Sequence, residues 1–297
     1  MDYRHILHLL SPLGHVSPFD VNMAVDAGFD VVVPYTRVEL KEVGALIQDA
    51  IFSRGPKGVK ATGAFIGGKN AELALDMLDC ARRAMVPPFE ISVFADPAGS
   101  FTTAAAMVAK VEKALAQKQG DLAGRKVAIF GGTGVVGFAS AVITALQKAD
   151  PVLVGYDGVE RVKQLAESAK KRFGAEIGYA DGSSEAANGH VLADAEIVLS
   201  APKAGIRVVT KAQLAKAPKL LVAADVNAVP PSSIEGVDVQ DDGKPIPGTQ
   251  AIGIGALAIG NVKYKVQSGL LKRMIETPKP LYLDFRDAFD LARQIVG

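Results

Sequence analysis

The sequence predicts an α/β fold with two domains, each built on a parallel sheet. Apolar segments with the spacing of buried strands alternate along the chain with segments of helical spacing, which is the pattern of βαβ units. The 297 residues give room for two ordinary domains. Nearly half of the residues are apolar (49%), and the chain has no Trp. That composition favours helices packed on sheets over a small β-sandwich.

The first alternating series occupies residues 4–118. Its predicted strands are HILHLL (5–10), DVVVPYT (30–36), TGAFIGG (62–68) and FEISVFAD (89–96). Its predicted helices are FDVNMAVDAG (19–28), LKEVGALIQDAIF (40–52), NAELALDMLDCARRAM (70–85) and a helix from about Phe101 to Gln117. Because strands and helices alternate, we assign residues 1–120 to one α/β domain with a parallel sheet.

A polar connector with two glycines, QKQGDLAGRK (117–126), precedes the second series and marks the predicted boundary. The predicted strands are KVAIFG (126–131), PVLVGY (151–156), EIVLSA (196–201) and LLVAADV (220–226). The predicted helices are VVGFASAVITALQKA (135–149), VERVKQLAESAKKRF (159–173), TKAQLAKA (210–217) and KYKVQSGLLKRMIE (263–276). We assign residues 121–279 to the second domain and expect a terminal helix within 280–297 that packs on the first domain or the second. The expected active site lies in the cleft between the domains.

Charge and cysteine content exclude several classes of function. The formal net charge is +1 and basic residues do not cluster, so we expect neither a nucleic-acid partner nor an anionic membrane surface. Cys80 is the single cysteine, which rules out an intrachain disulfide and fits a reducing cytoplasm. The apolar run near the N-terminus is too short, and too interrupted by His, for a signal peptide. We expect a cytoplasmic protein.

Metal and hydrolase motifs are missing from the sequence. The four histidines do not have metal-ligand spacing, and no H-E-x-x-H motif, cysteine pair or cluster of carboxylates occurs. No G-x-S-x-G motif is present either. We therefore expect no bound metal and no serine nucleophile of the α/β-hydrolase type. The histidines are His5, His8, His15 and His190.

Residues 127–147 carry no charge and are long enough to span a bilayer. The first third is rich in β-forming residues and ends in Gly131-Gly132, and two more glycines follow. This favours a strand, a tight turn and a helix over one membrane-spanning helix. The turn matches G-x-G-x-x-G, in which the backbone approaches a pyrophosphate at the N-terminus of a helix. The candidate cofactor-binding residues in it are Gly132, Thr133, Gly134, Val135, Val136 and Gly137.

The motif predicts a Rossmann dinucleotide-binding domain because an acid follows at the expected distance. Asp157 ends the next predicted strand, about 20 residues after Gly137, where a carboxylate accepts a hydrogen bond from the adenosine ribose. The alternative is an ordinary tight turn with an unrelated surface acid. Asp157 should repel the 2′-phosphate of NADP, but Arg161 and Lys163 lie within a helical turn and could offset that charge. We expect NAD to be accepted and NADP to be possible, with Tyr156, Asp157 and Arg161 at the nucleotide.

The segment FADPAGSFTTAAA (94–106) is the first of three stretches that we interpret as ligand-binding loops. Asp96 lies at a strand end, and Ser100, Thr102 and Thr103 lie at a helix start. Ser or Thr at that place caps a helix in most proteins, and this reading is equally open. Capping explains Asp96 less easily.

The other two stretches are AADVNAVPP (223–231) and GIGALAIGNVKYK (253–265). Asp225 and Asn227 lie at or just past the carboxyl end of a strand, where open α/β sheets bind their ligands; a structural Asx-turn is the alternative. Lys263 and Lys265 follow a glycine-rich run and are candidates for a substrate contact. Lysines in such places more often extend to solvent.

Five segments together resemble the NAD(P)-dependent methylenetetrahydromethanopterin dehydrogenases, bacterial one-carbon enzymes of formaldehyde oxidation in methylotrophs. The similarity extends over nearly the whole chain. The NADP-specific sister type carries basic residues where this chain has Tyr156-Asp157, which points to the type that uses NAD as well as NADP. The segments are SPFDVNMAVDAG (17–28), AFIGGKNAELALDM (64–77), VPPFEISVFADPAGSFTTAAAMVA (86–109), PKLLVAADVNAVPP (218–231) and IGIGALAIGNVKY (252–264).

The resemblance implies oxidation of methylene-tetrahydromethanopterin to the methenyl form with reduction of NAD(P)⁺. Hydride leaves a carbon between two nitrogens, so no proton is removed, and a nearby carboxylate such as Asp96 or Asp225 would stabilise the developing cation. The catalytic lysine of the family corresponds to Lys263, which we assign to positioning the substrate. Phe19 would pack on the pterin ring, with Asp20 beside it. The resemblance makes residues 1–120 the pterin domain and implies a homo-oligomer built from trimers.

Two other functions stay open. A methylenetetrahydrofolate dehydrogenase would act on the commoner carrier, which shares the reactive end of the pterin. A non-catalytic NAD-binding protein would keep the glycine turn without needing polar groups on further loops. An absorbance gain at the NADH band with a methylene-pterin distinguishes an enzyme from such a protein.

Overall fold

The structure, a computed structural model, describes residues 3–117 and 120–297. Lys118 and Gln119 of the predicted boundary segment lie outside the described residues. The strands are β1 Ile6–Leu10, β2 Val31–Tyr35, β3 Thr62–Ile66, β4 Ser92–Ala95, β5 Lys126–Phe130, β6 Asp150–Gly155, β7 Gly178–Asp181, β8 Ile197–Ser200, β9 Val222–Asp225, β10 Asp242–Pro245, β11 Ile252–Ile254 and β12 Tyr282–Leu283. The helices are α1 Pro18–Asp26, α2 Leu40–Phe52, α3 Gly55–Gly58, α4 Ala71–Arg83, α5 Ser100–Ala116, α6 Val135–Leu146, α7 Glu160–Phe173, α8 Glu185–Asp194, α9 Lys211–Leu214, α10 Ala256–Glu276 and α11 Phe285–Val296.

The chain divides into two compact units. One contains Met1–Thr102 and Tyr264–Leu291, and the other contains Thr103–Lys263 and Ala292–Gly297. Helices α5, α10 and α11 each contribute residues to both units. A division by contacts does not test which segments fold as independent domains. The predicted domains 1–120 and 121–279 therefore stay a prediction.

The first unit contains a parallel sheet in the order β12-β4-β3-β1-β2. Strand β1 pairs with β2 on one side and with β3 on the other, and both pairings are parallel. The chain therefore reverses its direction of travel across the sheet at β1, which creates a crevice at the carboxyl ends of β1 and β3. Central strands β3 and β4 are wholly buried, as expected for strands covered on both faces.

The second unit contains a sheet in the order β10-β11-β9-β8-β5-β6-β7. All neighbouring pairs are parallel except the antiparallel pair β10 and β11. Successive strands run from β5 to β7 on one side and return to β8 on the other side of β5. This is the doubly wound order of dinucleotide-binding folds, with its crevice between the carboxyl ends of β5 and β8. The predicted α/β fold with parallel sheets is confirmed.

Capping side chains and glycines set the ends of several helices. Asn70 caps α4 by accepting a hydrogen bond from the Leu73 amide at 2.9 Å. Helix α7 ends at Gly174, which adopts the left-handed conformation that glycine tolerates best. Strand β7 and strand β10 were not predicted because alternate or all side chains in them are exposed, and β10 has the sequence DGKP. Pairing with neighbouring strands, rather than apolar content, makes these segments strands.

Helix α10 corrects one expectation. The sequence predicted a helix only from Lys263, with a ligand loop before it, but α10 begins at Ala256. Ala256, Leu257 and Ala258 are strong helix formers, and Ile259 is buried, so the helix continues through Gly260. Lys263 and Lys265 therefore lie within a helix and not on a loop.

The charge-free segment 127–147 forms β5, a turn and α6, as predicted. Across the described parts of the chain, no helix combines the length and apolar character needed to cross a bilayer.

Candidate functional site

The turn after β5 depends on a glycine that no other residue can replace without strain. Gly131 has a φ of +77°, and a Cβ atom there would lie 2.2 Å from the carbonyl oxygen of Ala201. Ala201 directly follows β8, so the missing side chain allows the turn to contact the neighbouring strand end. The Gly134 amide donates to the Gly131 carbonyl at 3.0 Å and closes the turn.

The first turn of α6 packs directly on that glycine turn. A Cβ atom at Gly137 would lie 2.6 Å from the Gly131 carbonyl oxygen and 2.9 Å from the Gly132 Cα. Gly134 is the N-cap residue, and Val135 and Val136 open the helix. The first amides of a helix have no intrahelical acceptor and carry the positive end of the helix dipole, so this turn is suited to an anion.

A cavity of about 340 Å³ lies beside the glycine turn, at the carboxyl ends of β5, β6, β7 and β8. Of the predicted cofactor residues, Thr133, Gly134 and Tyr156 line it. Gly132 instead packs against β6, where a Cβ atom would lie 3.0 Å from Leu153. The lining residues that sequence reasoning missed are Phe130, Gly131, Val154, Gly182, Asn188, Ala201, Pro202, Lys203, Ile206 and Val208.

The segment after β6 contains an ion pair, Asp157 with Arg161, next to Tyr156 of the cavity lining. Arg161 Nη1 donates to Asp157 Oδ2 at 2.8 Å and to the Tyr156 hydroxyl at 3.1 Å. The guanidinium carbon also lies 5.8 Å from the centroid of the Tyr156 ring. The hydrogen bond to Asp157, followed by that to Tyr156, raises the pKa of Arg161 above its ordinary value. Arg161 thus offsets the Asp157 charge, which the sequence had left as a possibility.

These residues fit a dinucleotide. Gly131 and Gly137 let the turn pack closely on the end of β8 and on the first turn of α6, as in glycine turns that bind a pyrophosphate, and Asp157 follows β6, where such folds bind the ribose. The lining of the cavity is mainly apolar, which suits packing against the flat face of a purine base. Binding by the nine predicted cofactor residues stays a prediction.

A second pocket, of about 240 Å³, lies in the first unit at the crevice between β1 and β3. Ser11 follows β1, and Gly67, Gly68 and Lys69 follow β3. His15 and Asp20 also line this pocket. Of these residues only Asp20 was predicted to belong to a site, although the rule that ligands bind at strand ends points to Ser11 and to Gly67-Gly68-Lys69 as well.

Asp20 is a buried carboxylate at this second pocket. Its side chain lies on α1 with an exposed fraction of 4%, and Oδ1 accepts a hydrogen bond from Gln267 Nε2 at 2.9 Å. Gln267 is itself fully buried on α10. The neighbouring Phe19 is an exposed aromatic residue on α1. A buried carboxylate held by an amide can recognise the N–H groups of a heterocycle.

Asp96 has a structural role that the sequence interpretation did not expect. It is fully buried, and Oδ1 accepts from the amides of Phe101 at 2.9 Å and Thr102 at 3.2 Å. Thr102 Oγ1 donates to Asp96 Oδ2 at 2.7 Å. The view that capping explains Asp96 poorly is therefore wrong, because this carboxylate caps the start of α5. A substrate contact for Asp96, for Thr102 or for the half-buried Ser100 stays a prediction.

Asp225 and Asn227 organise the chain after β9. Asp225 Oδ1 accepts from the Asn227 amide at 2.8 Å, which is an Asx-turn, and Oδ2 accepts from the Ser233 and Ile234 amides. Asn227 Nδ2 donates to the Pro231 carbonyl at 2.9 Å. The structural alternative left open by the sequence is thus present. The proposed substrate contacts of these two residues stay predictions.

Lys263 is half-buried on α10, four residues before Gln267. Residues four apart share one face of a helix, so Lys263 and Gln267 share a face. Lys265 is exposed. Within residues 3–117 and 120–297, no group of three or more His, Cys, Asp or Glu side chains could hold a metal ion.

Sequence comparisons identify relatives along the whole chain. A family model described as methylene-tetrahydromethanopterin dehydrogenase, N-terminal, matches residues 18–98. The NAD(P)-dependent methylenetetrahydromethanopterin dehydrogenase of Methylorubrum extorquens is 56% identical over 295 residues, which cover 99% of each chain. The chain belongs to this dehydrogenase family. The bifunctional protein MdtA of the same organism is 32% identical over 279 residues, which cover 94% of each chain.

Solved structures at lower identity share the fold of this dehydrogenase family member. The NAD-dependent malic enzyme of Thermotoga maritima is 12% identical with a TM-score of 0.58, covering 97% of this chain and 84% of its own. Shikimate 5-dehydrogenase from Listeria monocytogenes is 15% identical with a TM-score of 0.50, covering 99% and 96%. At these identities the likeness extends to the fold alone.

The variant Gly131→Ala should lose nucleotide binding. The new methyl group meets the Ala201 carbonyl and displaces the turn, so we expect the affinity for ADP to fall at least tenfold, by about 1.4 kcal/mol or more. Gly124→Ala is the matched control, because Gly124 also has a positive φ (+72°) but an added Cβ atom meets no neighbour within 4 Å. Calorimetric titration with ADP measures both. Equal affinities in the two variants would contradict the role of the turn.

The variant Asp96→Ala should lower the free energy of unfolding by roughly 2–4 kcal/mol, because it removes a cap and leaves buried donors without an acceptor. Asp96→Asn keeps an acceptor oxygen and should lose less. Denaturant unfolding followed by circular dichroism gives both values. An unchanged stability together with a raised KM for the pterin would favour a substrate role instead.

Proposed function

We propose that the protein transfers a hydride from methylene-tetrahydromethanopterin to NAD(P)⁺, giving methenyl-tetrahydromethanopterin and NAD(P)H in the oxidation of one-carbon units derived from formaldehyde. The proposal rests on the glycine turn of the second unit and on the cavity beside it. It also rests on the 56% identity of the chain to an NAD(P)-dependent methylenetetrahydromethanopterin dehydrogenase. The buried carboxylate pocket of the first unit supports a polar heterocyclic substrate.

The nucleotide would be held by backbone more than by side chains. The amides of residues 132–137 other than Gly134, whose amide closes the turn, would donate hydrogen bonds to the pyrophosphate, and the apolar walls of the cavity would hold the adenosine half. Asp157 would accept a hydrogen bond from the ribose through Oδ1, while Arg161 stays on Oδ2. When bound, NAD(P)⁺ supplies the hydride acceptor.

The pterin would be held at the second pocket. Asp20, kept in place by Gln267, would accept hydrogen bonds from ring N–H groups, and Phe19 would pack on the ring face. The reacting carbon lies between two nitrogens whose lone pairs delocalise the cation. The residues need only orient the substrate and exclude water, so the structural use of Asp96 and Asp225 is compatible with catalysis.

Lys263 would position the pterin and would not stabilise its charge. An ammonium group next to a developing cation opposes the reaction, whereas a donated hydrogen bond to a ring oxygen or nitrogen fixes the substrate. Its place on the same helix face as Gln267 supports this role.

We also propose a cytoplasmic homo-oligomer built from trimers. The single cysteine, Cys80, is unpaired with any other cysteine and suits a reducing compartment. The assembly follows from the resemblance, and light scattering during gel filtration tests it.

The function is tested by an absorbance assay at the NADH band with the methylene forms of tetrahydromethanopterin and tetrahydrofolate, each with NAD⁺ and NADP⁺. We expect the highest kcat/KM with tetrahydromethanopterin. A higher value with tetrahydrofolate would make the protein a methylenetetrahydrofolate dehydrogenase. An unchanged absorbance with all four pairs, in protein that binds ADP, would indicate nucleotide binding without catalysis.

The variant Asp157→Ala should raise the ratio of kcat/KM for NADP⁺ to that for NAD⁺ about fivefold, because it removes a repulsion of roughly 1 kcal/mol between the carboxylate and the 2′-phosphate. It also releases Arg161. Asp157→Arg should raise the ratio further. Asp150→Ala is the control, since Asp150 is an exposed acid at the opposite end of β6. A ratio that stays the same in both Asp157 variants would refute this account of nucleotide choice.

The variant Lys263→Ala should raise the KM for the pterin and lower kcat, each about tenfold, and leave the KM for NAD⁺ unchanged. Lys265→Ala, two residues along the same helix, should behave as the parent protein. Steady-state kinetics with the pterin varied at saturating NAD⁺ provides the test. An unchanged turnover number and pterin KM would remove Lys263 from the site.

A further inference from the structure

Asn188 carries a buried acceptor that the described residues leave unused. It lies in the first turn of α8 and lines the cavity beside the glycine turn. Its Oδ1 is inaccessible to solvent and has no hydrogen-bond partner among residues 3–117 and 120–297. Buried polar atoms are almost always paired, and one that is not indicates a water or a ligand group.

The orientation of the Asn188 amide follows from its other contact. Nδ2 donates to the carbonyl oxygen of Val208 at 3.2 Å. Turning the amide over would bring Oδ1 against that carbonyl, and two acceptors would then face each other. The hydrogen bond therefore leaves the oxygen as the atom without a partner.

Gly182 preserves the space around this oxygen. A Cβ atom at Gly182 would lie 2.9 Å from Asn188 Oδ1 and 2.4 Å from Val154 Cγ1. Gly182 and Val154 both line the cavity, so the oxygen lies at the cavity wall. The terminal torsion of Asn is broad, and a small tilt of the amide turns Oδ1 toward a group in the cavity.

The order of the strands indicates which group of the proposed nucleotide would meet this wall. The glycine turn follows β5, Tyr156-Asp157 follows the neighbouring β6, and Gly182 follows β7, the next strand outward. With the pyrophosphate at the first position and the ribose at the second, the purine base reaches the third. Ile206 and Val208 line the same cavity and offer a base apolar contacts, and Ile206 is 46% exposed.

We infer that Asn188 Oδ1 accepts a hydrogen bond from the exocyclic 6-amino group of adenine and so selects adenine over purines with a 6-oxo group. Adenine presents a donor at this position, whereas hypoxanthine presents an acceptor oxygen that would face the acceptor of Asn188. This inference rests on the nucleotide site of the proposed function and names the residue that recognises the base.

The test compares binding of ADP and IDP by calorimetry, which needs neither pterin nor turnover. The parent protein should prefer ADP about tenfold, and Asn188→Ala should reduce that preference to about twofold or less, mainly through weaker ADP binding. Asn188→Leu, which fills the space without an acceptor, should act in the same way if the alanine variant folds poorly. His190→Ala, an exposed change on the same helix, should keep the tenfold preference.

An equal loss of ADP and IDP affinity in the Asn188 variants, or an unchanged preference, would overturn the role of Asn188 while leaving nucleotide binding intact. A parent protein that binds neither nucleotide would overturn both this inference and the proposed function.

Discussion

The close approach of two strand ends controls the candidate nucleotide site. Gly131 passes so near to the Ala201 carbonyl that only a residue without a side chain fits, and its positive φ directs the chain into α6. Gly137 then allows the first turn of that helix to pack on the glycine turn. The glycine turn, the end of β8 and the first turn of α6 therefore pack together because two glycines lack the atoms that would separate them.

Both units share one architectural feature, a reversal in the order of parallel strands. In each sheet the chain reverses its direction of travel at a central strand, β1 in one and β5 in the other, and each reversal opens a crevice at carboxyl strand ends. The crevice of the second unit is mainly apolar with backbone donors, and that of the first unit contains the buried Asp20. The difference in lining matches the proposed division between a nucleotide and a polar pterin.

Much of this organisation could be predicted from the sequence, because buried parallel strands are continuous apolar runs and the glycine motif follows one of them. The edge strand β7 could not, since its side chains are alternately exposed and its pairing is not local. The start of α10 was missed because Gly255 and Gly260 resemble a loop, whereas burial of Ile259 and Val262 keeps the segment helical.

The roles of individual site residues could not be predicted from the sequence. In the sequence, an acid at a strand end that binds a substrate cannot be told from one that binds the adjoining backbone. The hydrogen bonds of Asp96 and Asp225 in the structure show that both bind the backbone. Asn188 carried no signal, because it lies on a helix outside every motif and its significance arises from one unpaired oxygen.

A pyrophosphate site made from main-chain amides is encoded by the path of the chain and not by the chemistry of its side chains. Thr133, Val135 and Val136 would contribute through their main chain, so we expect replacements that keep the helix to be tolerated there, whereas Gly131 and Gly137 are fixed by the volume that they leave empty. With the nucleotide held in the proposed way, changes in the other loops would alter the substrate and leave the nucleotide site in place.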